Sequence, residues 1–122
     1  MIAILILVFP LVLGQTTCDL CPTTKPIVQT GGPQMTAFTR NAVIGKNKNG
    51  CLVKNLTCTS NTAGFMPVIS FNDDKNGVWE SKTQTGSIQL VCNANKYWTF
   101  TLNGVTIQID QVACLGDFKN VA

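Results

Sequence analysis

Apolar and polar positions alternate through the stretch 90–109. Trp98, Phe100 and Leu102 are separated by Thr99 and Thr101, and Val105, Ile107 and Ile109 by Thr106 and Gln108. Successive side chains of a strand point to opposite faces, so each run predicts a strand with one apolar face. Asn103-Gly104 between them fits a two-residue type I′ turn, whose two central residues need φ > 0. The three-and-four spacing of a helix is missing. The stretch therefore predicts a hairpin around which the rest of the chain is expected to pack.

Similar patterns recur upstream. Residues 35–44 predict a strand and 45–50 a loop. Residues 51–58 predict a strand with Leu52, Leu56 and Cys58 on its core face and Asn55 pointing outward. Asn55-Leu56-Thr57 is an N-glycosylation acceptor pattern, which makes Asn55 a candidate glycosylation site. Residues 66–71 read as a buried strand, 72–77 as a turn and 78–83 as the returning strand. Gly86 is expected to break the chain before a strand over 87–92, with Ile88, Leu90 and Cys92 on one face. After Ile109 the apolar positions change parity, since Val112 and Cys114 are even-numbered; a bulge or bend at Asp110-Gln111 would account for it. Short strands, frequent Gly, Asn and Pro turns and no extended helical pattern predict an all-β fold. The expected form is a small disulfide-stapled antiparallel β-sandwich, immunoglobulin-like in general architecture.

Charge and length refine this picture. Residues 1–14 are apolar and carry no charged side chain. They are too short for a membrane span, and Val12 and Gly14 supply the small residues of a cleavage site, so a secretory signal peptide cut after Gly14 is expected. Residues 15–122 then form one six-cysteine β domain. No other apolar run reaches spanning length, and no membrane span is expected. The nine Lys/Arg and six Asp/Glu are scattered beyond residue 14. Lys46 and Lys48 read as solvated loop residues, and nothing resembles a basic nucleic-acid module.

The six cysteines are Cys18, Cys21, Cys51, Cys58, Cys92 and Cys114. An even number in a small secreted domain reads as a disulfide framework. The Cys18-x-x-Cys21 pair lacks the βαβ surroundings of a redox motif, and a zinc site would need a second ligand pair in a chain without histidine. Cys51 and Cys58 face opposite sides of one strand, about 23 Å apart at roughly 3.3 Å per residue, and cannot pair. Cys58 and Cys92 both lie on apolar faces beside Leu56 and Leu90. Across a sandwich core those faces meet, so a Cys58–Cys92 bridge is expected, leaving Cys18 and Cys21 to take Cys51 and Cys114 in either order.

Several of these pieces occur together in a recognisable layout: Cys18-x-x-Cys21-Pro22, Asn49-Gly50-Cys51 running to Thr57-Cys58, Leu90-Val91-Cys92 followed by Trp98, and Val112-x-Cys114. The layout resembles the nematode six-cysteine ("C-six") domain of secreted proteins. That resemblance implies an extracellular module of undetermined activity and carries over no catalytic residues.

The chemistry available is limited. Without histidine there is no Ser-His or Cys-His pair. Asp73 and Asp74 sit in a stretch too short for a calcium loop. No metal, cofactor or catalytic site is expected. The reading is a secreted non-catalytic module with a structural or binding role, its partner an unknown extracellular protein or glycan; the sequence sets no oligomeric state. A secreted inhibitor or effector, presenting the basic loop 45–50, is the alternative. A small glycoside hydrolase is the remote one, and would need Glu80 and Asp110 within roughly 5–10 Å of each other.

Overall fold

Nine strands joined by tight turns run through residues 17–118, the part of the chain that the computed structural model describes. The expected signal peptide at residues 1–14 lies outside these residues. The strands are β1 (Ile27–Val28), β2 (Arg40–Lys46), β3 (Leu52–Thr59), β4 (Val68–Phe71), β5 (Val78–Glu80), β6 (Thr85–Cys92), β7 (Trp98–Leu102), β8 (Val105–Gln108) and β9 (Gln111–Leu115). They build a five-stranded sheet, β2-β3-β6-β7-β8, and a four-stranded sheet, β1-β9-β4-β5. The fold is all-β and sandwich-like, without a helix among the described residues. Neighbouring strands are antiparallel except β1, which lies parallel to β9.

The core forms where the inner faces of the two sheets meet. Leu56 and Cys58 of β3 and Ile88 and Leu90 of β6 meet Ile69 and Phe71 of β4 and Val112 and Cys114 of β9. Each large apolar side chain removed from water contributes about 1.5–3 kcal/mol. The 98–108 hairpin forms as its alternation predicts, with φ of 53° at Asn103 and 82° at Gly104. It does not, however, organise the core. It lies at the edge of the five-stranded sheet, and burial decays along it from Trp98, 1 % exposed, to Val105, 61 % exposed.

Several element boundaries differ from expectation; the strand expected over 66–71 begins at Val68, and the one expected over 78–83 ends at Glu80. The strand expected over 35–44 begins at Arg40 and continues to Lys46. It passes through Gly45, where a bulge between Val43 and Gly45 keeps the pairing to Leu52. Gly86 does not break the chain; it lies inside β6. A Cβ there would come within 2.7 Å of the side chains of Ser81 and Trp79, so the glycine answers a close approach. The parity change after Ile109 marks a crossing between sheets, since β8 belongs to one and β9 to the other. Asn72 holds the crossing: its Oδ1 accepts from the N–H groups of Asp110 (2.7 Å) and Gln111 (3.1 Å).

The bridges are Cys18–Cys51, Cys21–Cys92 and Cys58–Cys114. The expected Cys58–Cys92 bridge is therefore corrected. Both residues do lie buried on the inner face, but they belong to adjacent antiparallel strands of one sheet. Cys58 stands opposite Gly86, and Cys92 lies six residues further along β6, about 20 Å away at roughly 3.3 Å per residue. Cys58 instead meets Cys114 of the facing sheet. Of the two partners left open to Cys18 it takes Cys51, and Cys21 takes Cys92 rather than either of its two.

Candidate functional site

Cys18 and Cys21 anchor the segment that precedes β1. Cys18 is bonded to Cys51 at the start of β3, and its carbonyl accepts from Leu52 N (2.9 Å). Cys21 is bonded to Cys92 at the end of β6. The chain then passes to the other sheet, where Ile27 N donates to the Asp110 carbonyl at 2.9 Å. Residues 18–27 thus form a strap from one sheet to the other.

Two side chains of the five-stranded sheet hold the strap from below. Trp98 Nε1 donates to the Pro22 carbonyl at 2.9 Å. Lys54 Nζ donates to the carbonyls of Thr23 (3.0 Å) and Lys25 (2.7 Å). Lys54 is 2 % exposed, and its Nζ lies 5.5 Å from the centre of the Trp98 ring. Its partners are backbone carbonyls and an aromatic face, so its charge is spread over dipoles. Burial pushes its pKa below the usual 10.5. Lys54 shares parity with Leu52, Leu56 and Cys58, so the strand period already placed it inward; its charge argued the other way.

Above Trp98 the strap edges a cleft of about 190 Å³ lined by Pro22, Lys25, Lys96, Tyr97, Trp98 and Asp110. Tyr97 is 47 % exposed, whereas Trp98 forms the buried floor. The turn before β7 positions Lys96 and Tyr97. Asn93 Oδ1 accepts from Asn95 N and Tyr97 N, both at 3.0 Å, and Asn93 N donates to the Tyr97 carbonyl at 2.8 Å. The turn before β3 is built alike: Asn47 Oδ1 accepts from Asn49 N and Cys51 N, both at 3.0 Å, and Asn47 N donates to the Cys51 carbonyl at 2.9 Å. The fourth residue of each turn has positive φ: 81° at Gly50, and 68° at Lys96. A non-glycine residue there carries backbone strain, and such residues concentrate at functional sites.

A second depression, about 290 Å³, is lined by Asn72, Lys75, Asn76, Asp110 and Gln111. It shares Asp110 with the first. Asp73 and Asp74 face a third, beside Gln34 and Met35. Asp74 is engaged by Ser70, whose hydroxyl donates to Asp74 Oδ1 and accepts from Asp74 N.

The remaining sequence candidates are dispersed. Glu80 pairs with Val68 at one end of β4, while Asp110 is bound to Asn72 beyond the other end. Four residues of strand separate those ends, about 13 Å at roughly 3.3 Å per residue, so the two carboxylates are not brought together. Asn55 lies on the outer face as expected but is only 9 % exposed, being flanked in register by Ala42 and Gln89. Its Oδ1 accepts the Thr57 hydroxyl at 2.8 Å. Lys46 belongs to β2 rather than a loop and sits 3.6 Å from Asp19; Lys48 remains exposed in the 47–50 turn. Among the described residues no three His, Cys, Asp or Glu side chains gather as a metal site, and no helix is long and apolar enough to cross a membrane. Comparison of the chain with protein-family models, with curated proteins and with solved structures finds no match.

Proposed function

We propose that this protein is a secreted, non-catalytic six-cysteine module with a structural or binding role outside the cell, and that the Tyr97 cleft is its binding site. The observation that carries the reading is the strap. Two of the three bridges are used to fix residues 18–27 against the sheet beside an exposed aromatic and two lysines. Three disulfides in a domain this small are compatible with an oxidising, extracellular setting. The resemblance to nematode six-cysteine domains supports the same setting. An immunoglobulin-like architecture is favoured by the Cys58–Cys114 bridge, which joins a strand of one sheet to a strand of the other as the inter-sheet bridge of immunoglobulin domains does. The parallel β1–β9 pair and the β7–β8 hairpin would be this chain's own additions.

The test is expression in a eukaryotic secretory host. The secreted protein should begin at Gln15 and contain no free thiol, and on arrays of extracellular proteins and glycans its binding should be lost with Tyr97→Ala. Reactive thiols in the secreted protein, or array binding indifferent to Tyr97→Ala, would sink the reading. Treatment of the same material with an N-glycosidase tests Asn55, which we include as the glycan acceptor; no mass shift removes it.

A second reading, a protease inhibitor, is favoured by one observation. Lys48 is exposed on a turn fixed by Asn47 and by the Cys18–Cys51 bridge, as an inhibitory loop must be. Absence of inhibition across a panel of proteases that cleave after lysine would remove it.

A further inference from the structure

The contents of the Tyr97 cleft narrow its ligand class, a step that rests on the binding reading above. We propose that the cleft takes an acidic glycan, with one uronate-type sugar stacked on Tyr97 and its carboxylate on Lys25 and Lys96. Size is the first argument. A volume of about 190 Å³ falls below that of pockets for drug-sized ligands and suits a single sugar ring. The lining is the second. Tyr97 and Pro22 offer flat apolar surface to the C–H face of a sugar, and the Tyr97 hydroxyl remains available to its polar edge.

Polar chemistry supplies the third argument. Lys25 and Lys96 can only donate hydrogen bonds, and the Asp110 carboxylate, which already accepts from Gln108 Nε2 at 2.8 Å, can only accept them. A simple carboxylate would satisfy the lysines and be repelled by Asp110. A neutral sugar would satisfy Asp110 and leave the two charges unmatched. A sugar carrying both hydroxyls and a carboxylate answers all three groups. The neighbouring depression of about 290 Å³ extends the site beyond Asp110 with two asparagines, a glutamine and Lys75. The Asn72 amide is committed to Asp110, Gln111, Asn76 and Gln108, so Asn76, Gln111 and Lys75 are the groups that meet the next residues of the same oligosaccharide.

Lys96 offers a clean test of the charge. Its twin position in the 47–51 turn is Gly50, the residue that the positive φ favours. A glycine adopts that backbone freely, so Lys96→Gly removes the ammonium at the rim of the cleft while keeping the turn.

The experiment is a titration of the secreted protein with a hyaluronan tetrasaccharide, and in parallel with chitotetraose as the neutral probe, followed by amide chemical shifts. The acidic probe should move the signals of Lys25, Lys96 and Tyr97 and bind at least about tenfold more tightly than the neutral one. Affinity should fall as salt screens the lysines. Lys96→Gly should unfold at the wild-type temperature yet bind the acidic probe about tenfold more weakly, and Tyr97→Ala should weaken both probes. Equal binding of the two probes at Tyr97 overturns the acidic ligand and leaves a binding cleft in place. Shifts from neither probe near Tyr97 overturn the glycan altogether, and the protein array then decides the broader reading. Acidic binding that survives both substitutions also overturns the proposal, because it places the site elsewhere.

Discussion

The β3–β6 ladder and the β7–β8 hairpin belong to one sheet and obey the same two-residue period, yet they do different work. The hairpin alternates more cleanly than β3, and only its base is buried. In β3 four consecutive residues, Val53, Lys54, Asn55 and Leu56, are buried, including a lysine and an asparagine. The difference lies in neighbours. β3 is flanked by β2 and β6, so its outer face is closed in by other side chains, and its inner face meets β9 and β4. β8 has a partner on one side only. Alternation therefore reports which face a side chain takes. How deeply it is buried depends on where the strand sits in the sheet.

The strongest way to break this contrast is to cut the link between β3 and the facing sheet. The double change Cys58→Ala with Cys114→Ala opens a loop of 56 residues' separation at the centre of the core. It should cost about 2–5 kcal/mol, measured by denaturant unfolding. A loss under about 1 kcal/mol would show that the two sheets are held together by packing alone. Next in size is Leu56→Ala. Leu56 is fully buried, and the change should cost about 2–5 kcal/mol. Val105→Ala at the exposed hairpin tip should stay within about 0.5 kcal/mol. Comparable losses at the two positions would refute the assignment of centre and edge.

The glycines sharpen the comparison at a smaller scale. Gly86 lies in β6 against Ser81 and Trp79, whereas Gly104 of the hairpin turn has nothing within 4 Å of where a Cβ would sit. Gly86 is restricted by space and Gly104 by its φ of +82°. Asparagine tolerates positive φ but not overlap. Gly104→Asn should therefore be accepted within about 1 kcal/mol, and Gly86→Asn should cost about 1–3 kcal/mol through overpacking. Thermal unfolding of the two variants checks this, and a reversed order would show that the β6 backbone can shift.

Local features of the fold were legible in the sequence. Ile88, Leu90 and Cys92 declare their common face by period, and Asn103-Gly104 declares its turn by the φ values it tolerates. What stayed hidden depends on contacts remote in the chain. Cys58 and Cys92 look like facing core positions until it is known that β3 and β6 are neighbours in one sheet; period carries no sheet membership. The strap could not be read either, because residues 18–27 have no pattern of their own and are placed by Cys51, Cys92, Trp98 and Lys54. Of the candidate site, Tyr97 had no place in the alternation, which begins at Trp98. The positive φ of Lys96 becomes visible once Asn93 to Tyr97 is laid beside Asn47 to Cys51.

Lys54 is the most delicate test of the difference between centre and edge. It occupies an inward position of β3, where a lysine is expected only if something compensates its charge. The carbonyls of Thr23 and Lys25 and the Trp98 ring do so, while burial still lowers its pKa from 10.5. Between that lowered value and 10.5 the unfolded chain holds a proton that the folded chain has released. Raising the pH through this window must therefore stabilise the fold, because the unfolded state binds more protons there. Below the window both states are protonated, and the full burden of the buried charge is present. Lys54→Met keeps the length of the side chain and removes the charge, at the expense of two hydrogen bonds to the strap. Replacing buried charge by apolar volume is often close to neutral, so at pH 7 the variant should lie within about 2 kcal/mol of wild type. The distinguishing measurement is the slope. As the pH rises towards 10.5 the stability of the wild type should rise relative to the variant. Parallel curves would mean that Lys54 titrates alike in both states, and that the strap leaves it in contact with water.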